Sequence, residues 1–503
     1  MILRQTVFVM THETVLTCRA AIMFATDLSS IFPLPLCAFE EFMFQDGSED
    51  YPMLFYLQVR LKGKVDRDIM KTAVAEAFHR HPLLNCHVRR INGGLHWVWS
   101  EDDFPEANWN VDQWKTEEPW KKSIDLAKET GIRVWAEQFD EHAELTLQYH
   151  HACCDGIGAS QFLQDIAISY AREYGRRTGE QELPGLSPLN PALLATRNAQ
   201  QGRRIANISG SILRRIRILF KYSLRYLQQK KVPFETGTEP INNDTRQSGV
   251  AIRQIELTRK QTRKLRDAAK QYNCTMNDML VTQLMLFSTK WNNMSGERQR
   301  SRFSLRQPTA CVLVPASLRG PADSELSASN VVSYVFMSRA TSMAKTPIRL
   351  LESIRDEMQL VHKSQAGWFF IQAIEFLKRI PFGLHLMMRS TQTSCMSTTV
   401  LSHMGNILNA IGGRLPREGG SIRMGNLVVE NIYGVPPIRK GTAVVFSSMM
   451  IGGCLKICVR CCDRQYSEAD AARLVSEFET HLGDLCNDQP NTEIKGQISS
   501  ATA

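Results

Sequence analysis

The stretch that decides the fold is His150-His151-Ala152-Cys153-Cys154-Asp155-Gly156. Before it, residues 143–149 alternate apolar and polar side chains, which is typical of a half-buried β-strand. After it, residues 159–170 carry apolar side chains at helical spacing, which indicates an α-helix. The sequence therefore predicts that both histidines lie at a strand end, in a short turn before a helix. A side chain there is held by the sheet and is open to a cleft.

Strand geometry separates the roles of the two histidines. Neighbouring side chains on a strand point to opposite faces, so His150 and His151 are poor joint metal ligands. His151 should share the face of Tyr149, where it could act as a general base because the imidazole pKa lies near neutrality. Asp155 is placed to brace the turn, and Gly156 lets the chain leave it tightly. The alternative is that both histidines are structural, which is the commoner interpretation of a bare pair.

Length and composition indicate a globular protein with more than one core. A chain of 503 residues is too long for one ordinary core, so we expect two domains or large subdomains. The hydrophobic content of 43% is ordinary for a soluble protein, and no apolar run reaches the length of a membrane span. Charged residues interrupt the first 30 residues, which do not resemble a signal peptide. Thirteen scattered or adjacent cysteines favour a reduced, cytoplasmic location.

The net charge of +9 has a local origin. Residues 183–234 contain ten Lys or Arg and no Asp or Glu, and the remainder of the chain is close to neutral. Residues 205–227 can be drawn as an amphipathic helix, followed by a linker over 233–243. Such a helix is most often a docked or solvated linker, and it could also lie on an anionic membrane. Nucleic-acid binding is not expected, because no aromatic platform or reader motif accompanies the basic residues.

Other patterns predict a mixed α/β architecture on both sides of the basic segment. Strands are expected at 53–61, 95–99, 249–257 and 311–315, and as a hairpin at 444–450 and 455–461. Helix starts are expected at Asp66, at the Thr275–Asp278 capping box, at Thr346-Pro347 and at Ser467.

The central heptapeptide matches the HHxxxDG signature, and on this motif the chain resembles the CoA-dependent acyltransferase superfamily. That superfamily includes chloramphenicol acetyltransferase, condensation domains of peptide synthetases, alcohol O-acetyltransferases and wax ester synthases. Further landmarks appear in the same order as in the superfamily. They are Pro33-Leu34-Pro35-Leu36 with Phe39-Glu40, His81-Pro82-Leu83-Leu84, Thr275-Met276-Asn277-Asp278-Met279-Leu280, and Val314-Pro315-Ala316-Ser317-Leu318-Arg319 followed by Asn330.

The resemblance implies two chloramphenicol-acetyltransferase-like halves that form a pseudo-dimer around a central tunnel. On this basis we expect an N-terminal half at 31–190 with the HHxxxDG motif and a C-terminal half at 246–486. The basic helix and linker at 191–245 would join them. Residues 1–30 would form a poorly determined arm, and residues 487–503 a disordered tail.

The resemblance also implies the chemistry. His151 would deprotonate an acceptor hydroxyl, amine or thiol, which then attacks an acyl thioester carried on CoA or a carrier protein, without an acyl-enzyme. His150, Asp155 and Gly156 would be structural, with Asp155 ion-paired to an arginine, and Arg319 is a candidate for an arginine that lines the site. One stretch departs from the family pattern, since His403 stands where the late "SN-x-G" motif has Asn. His403 is either a structural histidine or a second group near the cleft.

The cysteines suggest two other kinds of site, a thiol nucleophile and a zinc site, and both are less expected than a histidine base. Cys153 and Cys154 are poorly aimed for a thiol nucleophile beside His151, and small buried cysteines are common. The cysteines between 454 and 462 lie on a predicted strand, unlike the knuckle turns of zinc sites, so no metal is expected. No bound cofactor is expected either, and acyl-CoA or an acyl carrier protein would be a co-substrate.

Two segments favour a lipophilic acceptor. Residues 366–390 are unusually apolar and could line an acceptor tunnel or touch lipid, and residues 203–231 could make peripheral contact with the inner membrane surface. Three hypotheses follow: a free-standing acyltransferase, a condensation-type domain that uses a separate carrier protein, and a non-catalytic binding member. A monomer is expected in each case.

Overall fold

The computed structural model describes residues 28–99, 107–108, 123–180, 185–197, 229–236, 251–295, 307–364, 367–407 and 414–486. Helices and strands alternate along the chain, and each of two seven-stranded sheets is packed against helices.

The first part of the chain supplies these described elements: β1 Leu34–Pro35, α1 Ala38–Asp46, β2 Leu54–Lys62, α2 Arg67–Arg80, β3 Cys86–Ile91, β4 Gly94–Trp99, β5 Ala107–Asn108, β6 Ile132–Gln138, β7 His142–His150, α3 Gly156–Thr178 and β8 Gln229–Lys231. Strands β3 and β6 were not expected from the sequence. Helix α3 begins at Gly156, the last residue of the motif, three residues before the predicted start.

The second part supplies these described elements: β9 Ala251–Leu257, α4 Arg259–Gln271, α5 Met276–Ser295, β10 Gln307–Ser317, β11 Val332–Ala340, α6 Pro347–Ser364, α7 Trp368–Lys378, α8 Gly383–Thr393, β12 Thr399–His403, β13 Arg417–Glu418, β14 Ser421–Met424, β15 Leu427–Val435, β16 Val444–Ile451, β17 Cys454–Cys461 and α9 Glu468–Cys486. The predicted hairpin is confirmed, because β16 and β17 pair in antiparallel register.

The local signals for helix starts are confirmed by their hydrogen bonds. The Asp66 carboxylate accepts from the backbone N–H of Asp68 and Ile69 at the start of α2. Thr275 and Asp278 exchange side-chain and backbone hydrogen bonds before α5, which is the predicted capping box. These short-range contacts satisfy N–H groups that lack partners inside the helix, so the sequence alone predicts them well.

The two large sheets exchange strands between the halves. One sheet has the order β13-β14-β15-β2-β7-β6-β5, and the other has the order β11-β10-β12-β16-β17-β9, with β8 pairing to β10. Strands β13 to β15 follow β12 in the chain, yet β15 pairs antiparallel with β2 of the first half. The predicted C-terminal half at 246–486 is therefore not one continuous layer, because residues 417–435 complete the sheet of the first half.

The basic helix predicted at 205–227 lies outside the described residues, which resume at Gln229. Residues 229–231, at the end of the segment for which membrane contact was considered, form strand β8 beside β10. Two of the basic side chains are used inside the protein. The Lys231 ammonium lies 5.3 Å from the centre of the Phe336 ring, and Arg197 is buried against Glu40 with an N–O distance of 2.8 Å. The positive charge is thus partly structural.

The apolar segment at 366–390 forms the helices α7 and α8, apart from Ala366, which is outside the described residues. Helix α7 packs against α1 and β11, so part of its apolar surface belongs to the protein core. Within the described ranges, no helix combines the length and the apolar character needed to cross a membrane.

Candidate active site

The HHxxxDG turn is held by backbone hydrogen bonds to neighbouring segments. The N–H of His150 donates to the Gly131 carbonyl, and the N–H of His151 donates to the Met53 carbonyl, both at 2.8 Å. Directly after the turn, Asp155 caps helix α3, because its Oδ1 accepts from the Gly158 N–H at 2.9 Å. The strand end, the turn and the helix start therefore form one rigid unit that positions His151.

The ring contacts place His151 beside the apolar face of β7. The Phe55 ring stacks on Tyr149 with centroids 4.9 Å apart, and the same ring lies 5.0 Å from the His151 ring. His150 has a different environment, since its Nδ1 accepts from the Ala152 N–H at 3.1 Å. The strand itself differs from expectation: Gln148 and His150 are buried as well as Tyr149, so the end of β7 is covered on both faces.

Burial controls the protonation of both histidines. Burial lowers the pKa of His151, while the Asp155 carboxylate acts in the opposite direction. Burial, with a contribution from His151, lowers the pKa of His150 to about 3. Both rings are therefore neutral near pH 7, the form that can accept a proton. The Nδ1 atom of His151 is buried and has no hydrogen-bond partner among the described residues.

The Asp155 carboxylate is fully engaged in holding the two halves together. Its Oδ2 accepts from Arg319 Nη1 at 2.6 Å and from the Val331 N–H at 2.8 Å. Arg319 also donates to the Ser329 carbonyl, and the Asn330 amide donates to the His151 carbonyl at 2.6 Å. A loop of the second half thus binds the motif turn of the first. Arg319 was expected to line the site, but it lies behind the turn as the partner of Asp155.

A cavity, which we call the junction cavity, opens where the two halves meet. Its empty volume is about 710 Å³, part of which is open to solvent. His151, Gly156 and Phe55 line it from the first half, and strands β10, β11, β12 and β16 contribute from the second. Most of the lining side chains are apolar. Among the six residues proposed from the sequence, the described lining includes His151 and Gly156.

The end of β12 closes against the motif turn. A Cβ atom added to Gly156 would lie 2.9 Å from Met404 Cε, so the end of the flexible methionine side chain would have to shift to admit it. Ser402 and Met404 line the junction cavity, whereas His403 between them points away from it. Its Nδ1 lies 2.8 Å from Ser448 Oγ, and burial lowers its pKa. His403 is therefore placed as a hydrogen-bonded structural histidine.

Several polar side chains that the sequence did not identify line the junction cavity. Tyr334 on β11, Ser402 on β12 and Arg439 before β16 come from distant parts of the chain. Arg439 pairs with the buried carboxylate of Asp46. No local pattern marks Tyr334 or Arg439, whereas Ser402 belongs to the stretch compared with the late family motif and directly precedes His403.

The cysteines near the motif are placed as inert core residues. Cys153 and Cys154 are fully buried, and their thiols lie within hydrogen-bond distance of backbone carbonyls. Burial raises the pKa of both thiols, which keeps them protonated and poorly nucleophilic. The twelve described cysteines form no disulfide. Across the described ranges, no group of three His, Cys, Asp or Glu side chains could hold a metal ion.

Comparison with known proteins identifies the fold. No protein-family model matches the chain. Two uncharacterized proteins of Mycobacterium tuberculosis, from strains CDC 1551 / Oshkosh and ATCC 25618 / H37Rv, are each 22% identical over 413 residues, which cover 76% of this chain and 85% of theirs.

Two solved structures illustrate the likeness. The first condensation domain of the calcium-dependent antibiotic synthetase, in complex with a substrate analogue, matches with a TM-score of 0.62 and 14% identity, over 91% of this chain and 96% of that domain. A mutant starter condensation domain of rhizomide synthetase, in complex with C8-CoA and Leu-SNAC, matches with a TM-score of 0.61 and 11% identity, over 92% of this chain and 96% of that domain. The chain has the condensation-domain fold, which confirms the predicted fold class and the resemblance at the level of fold.

Proposed function

We propose that this protein is an acyltransferase that moves an acyl group from a thioester to a hydroxyl or amine of a lipophilic acceptor. The observation that carries the proposal is the position of His151. It is the second histidine of an HHxxxDG motif, and it lines an apolar cavity where the two halves of the fold meet. The fold is that of condensation domains, which supports the same class of chemistry.

His151 would act as the general base. The neutral imidazole takes the proton from the acceptor as the acceptor oxygen or nitrogen attacks the thioester carbonyl carbon. The C–S bond of the tetrahedral intermediate then breaks, and the leaving thiolate takes up the proton that His151 holds. The lowered pKa of His151 supports this role, because the base is neutral at the pH of the cell.

Asp155 would be a positioning residue in this mechanism. Its carboxylate already accepts hydrogen bonds from Gly158, Val331 and Arg319. It therefore has no free role in proton transfer, and it holds the turn that presents His151. Asn330 adds a second restraint through its hydrogen bond to the His151 carbonyl. Such restraint matters because a misplacement of about 1 Å can cost about 10²-fold in rate.

The oxyanion of the intermediate needs a hydrogen-bond donor. Hydroxyl groups of Ser402, Thr442 and Ser447 belong to residues that line the junction cavity. Thr442 donates to the Ser397 carbonyl and Ser447 to the Gly434 carbonyl. Ser402 is therefore the candidate donor among these three, since its hydroxyl makes no hydrogen bond to another described residue.

The experiment that tests the proposal is thiol release from acyl-CoA thioesters of several chain lengths, in the presence of a panel of alcohols and amines. His151→Ala should reduce the acceptor-dependent rate by about 10²–10⁴-fold, because it removes the general base. His403→Gln is the matched control: it changes a partly buried histidine that lies outside the cavity, so it should keep the wild-type rate. Equal rates for wild type and His151→Ala would rule out this mechanism.

The fold supports a second candidate for the donor. The two solved condensation domains belong to synthetases, so the acyl or aminoacyl group could instead be held on a separate carrier protein. The chemistry at His151 would be the same. Turnover with an acylated carrier protein, together with no release from any CoA thioester, would favour this donor over free acyl-CoA.

A further inference from the structure

An exposed apolar patch lies where helices α7 and α8 meet. We call residues 376–389 the α7–α8 tip. Phe376 is 64% exposed and Phe382 79% exposed, and Ile380 and Leu386 are also open to solvent. Phe382 and Leu386 are one helical turn apart, and the Leu386 N–H donates to the Phe382 carbonyl at 2.9 Å. The two side chains therefore project from the same side of the tip.

The exposure does not come from a helix that is loosely attached. The opposite face of α7 buries Trp368, Ile371 and Ile374, and α8 buries Leu384 and Met388. Both helices thus carry apolar side chains on two faces, one against the core and one against solvent. A single core cannot account for the second face.

The backbone at Phe382 strengthens the inference. Phe382 has a φ of 59°, in the left-handed region that bulky L residues rarely adopt. The next residue must be glycine, because a Cβ atom on Gly383 would lie 2.5 Å from the Leu377 carbonyl oxygen. Asn or Gly would suit the backbone of residue 382 better than Phe. The aromatic side chain at this position is therefore best explained by a contact that it makes outside the chain.

The charge around the patch indicates the kind of partner. The α7–α8 tip includes Lys378, Arg379 and Arg389 and no Asp or Glu. Lys378 forms an ion pair with Glu41, and Arg379 is exposed at the end of α7. An apolar tip flanked by cations matches the boundary between the anionic headgroups and the acyl chains of a membrane.

We propose that the α7–α8 tip binds the surface of an anionic lipid membrane, with Phe382 and Leu386 inserted among the headgroups and Arg379 beside their negative charges. The start of α7, at the opposite end of that helix from the tip, lies near the junction cavity. There the Phe370 ring is 5.4 Å from the ring of Tyr334, which lines the cavity. A lipophilic acceptor would then be drawn from the membrane beside the cavity wall. That last step rests on the proposed function, whereas membrane binding does not.

The test is co-sedimentation of the full chain with vesicles of phosphatidylcholine alone or mixed with phosphatidylglycerol, at low salt. Wild type should bind the mixed vesicles. The Phe382→Asn/Leu386→Gln variant should bind them about tenfold more weakly or worse, because it loses the burial of two apolar side chains. Asn suits the left-handed backbone, so the thermal midpoint of this variant should not fall. Met294→Gln, at an exposed apolar residue on α5, is the matched control and should bind like wild type.

Two results would overturn the proposal: no binding of wild type to the mixed vesicles, or equal binding of wild type and the Phe382→Asn/Leu386→Gln variant. A wild-type dimer that this variant converts to a monomer, with no vesicle binding, would assign the patch to a second copy of the chain instead. His151→Ala should bind vesicles like wild type. The membrane inference can therefore fail while the proposed chemistry stands, and the reverse is also true.

Discussion

At the scale of single residues, the two histidines of the motif have different tasks because they leave the strand in different directions. His150 accepts a backbone hydrogen bond from Ala152 and is buried, which fixes the turn. His151 lines the junction cavity beside Phe55, and burial there keeps its ring neutral. Both rings are neutral, so access to the cavity, rather than protonation, distinguishes His151 from His150.

The lowered pKa of His151 predicts the pH dependence of the reaction. A general base works in its neutral form, which prevails above its pKa, and a lowered pKa extends that range towards acid. We expect the acidic limb of the kcat/KM profile to lie below pH 6.5, the ordinary value for histidine. The His403→Gln variant should give the same limb. A limb above pH 6.5 would contradict the assignment of the base.

At the scale of elements, the site depends on the contact between the start of α3 and the end of β12. Gly156 and Met404 both line the junction cavity, and the absence of a side chain at Gly156 lets them approach. The two elements belong to different halves of the chain. Their separation therefore sets the shape of the cavity next to His151.

Gly156→Ala should disturb this contact. The new Cβ would lie 2.9 Å from Met404 Cε, so the end of this lining side chain must shift and change the shape of the cavity near His151. We expect kcat/KM to fall by about tenfold to hundredfold, measured by thiol release. Met404→Ala should make room for the extra methyl, so the double variant should match Met404→Ala alone.

The control for this series is Gly185→Ala, because nothing lies within 4 Å of a Cβ at that position. That variant should keep wild-type activity. If Gly156→Ala also kept wild-type activity, the close approach of α3 and β12 would have no bearing on the site.

At the scale of the whole molecule, the halves are joined by strands and by buried ion pairs. Strand β15 of the second half completes the sheet beside β2, and Arg319 reaches the Asp155 carboxylate across the junction. His81 adds a third link, since it lies 3.0 Å from Asp165 and accepts from the Ala328 N–H. The cavity is therefore framed by contacts that exist only when both halves are folded.

The ion pair between Asp155 and Arg319 can be measured by a double-mutant cycle. Arg319→Met leaves a buried carboxylate with backbone donors alone, so we expect it to lower the free energy of unfolding by about 3–5 kcal/mol. Asp155→Asn/Arg319→Met should destabilise by less than the sum of the two single changes. Urea unfolding provides the measurement.

The matched control is the exposed pair of Arg253 and Glu468, whose side chains are 34% and 76% exposed. Arg253→Met should cost about 1 kcal/mol or less, because solvent screens exposed pairs. If Arg319→Met lowered the free energy of unfolding by no more than this, the ion pair between Asp155 and Arg319 would not hold the halves together.

The sequence by itself determined the features that depend on neighbouring residues. The alternation before His150 predicts strand β7, and Asp66, Thr275 and Ser467 mark helix starts through hydrogen bonds within a few residues. The parity of the strand selects His151 over His150 because side chains alternate between faces. The order of the landmarks also predicted a fold that the solved structures confirm.

Only the tertiary structure decided which distant segments meet. The pairing of β15 with β2, the partnership of Arg319 with Asp155, and the placement of Ser402 in the junction cavity join residues far apart in the chain. Sheet pairing of this kind depends on packing and shape across the whole molecule, and it leaves no signal in a short window of sequence. The motif could be identified from a short stretch of sequence. The cavity that His151 lines forms only when both halves have folded.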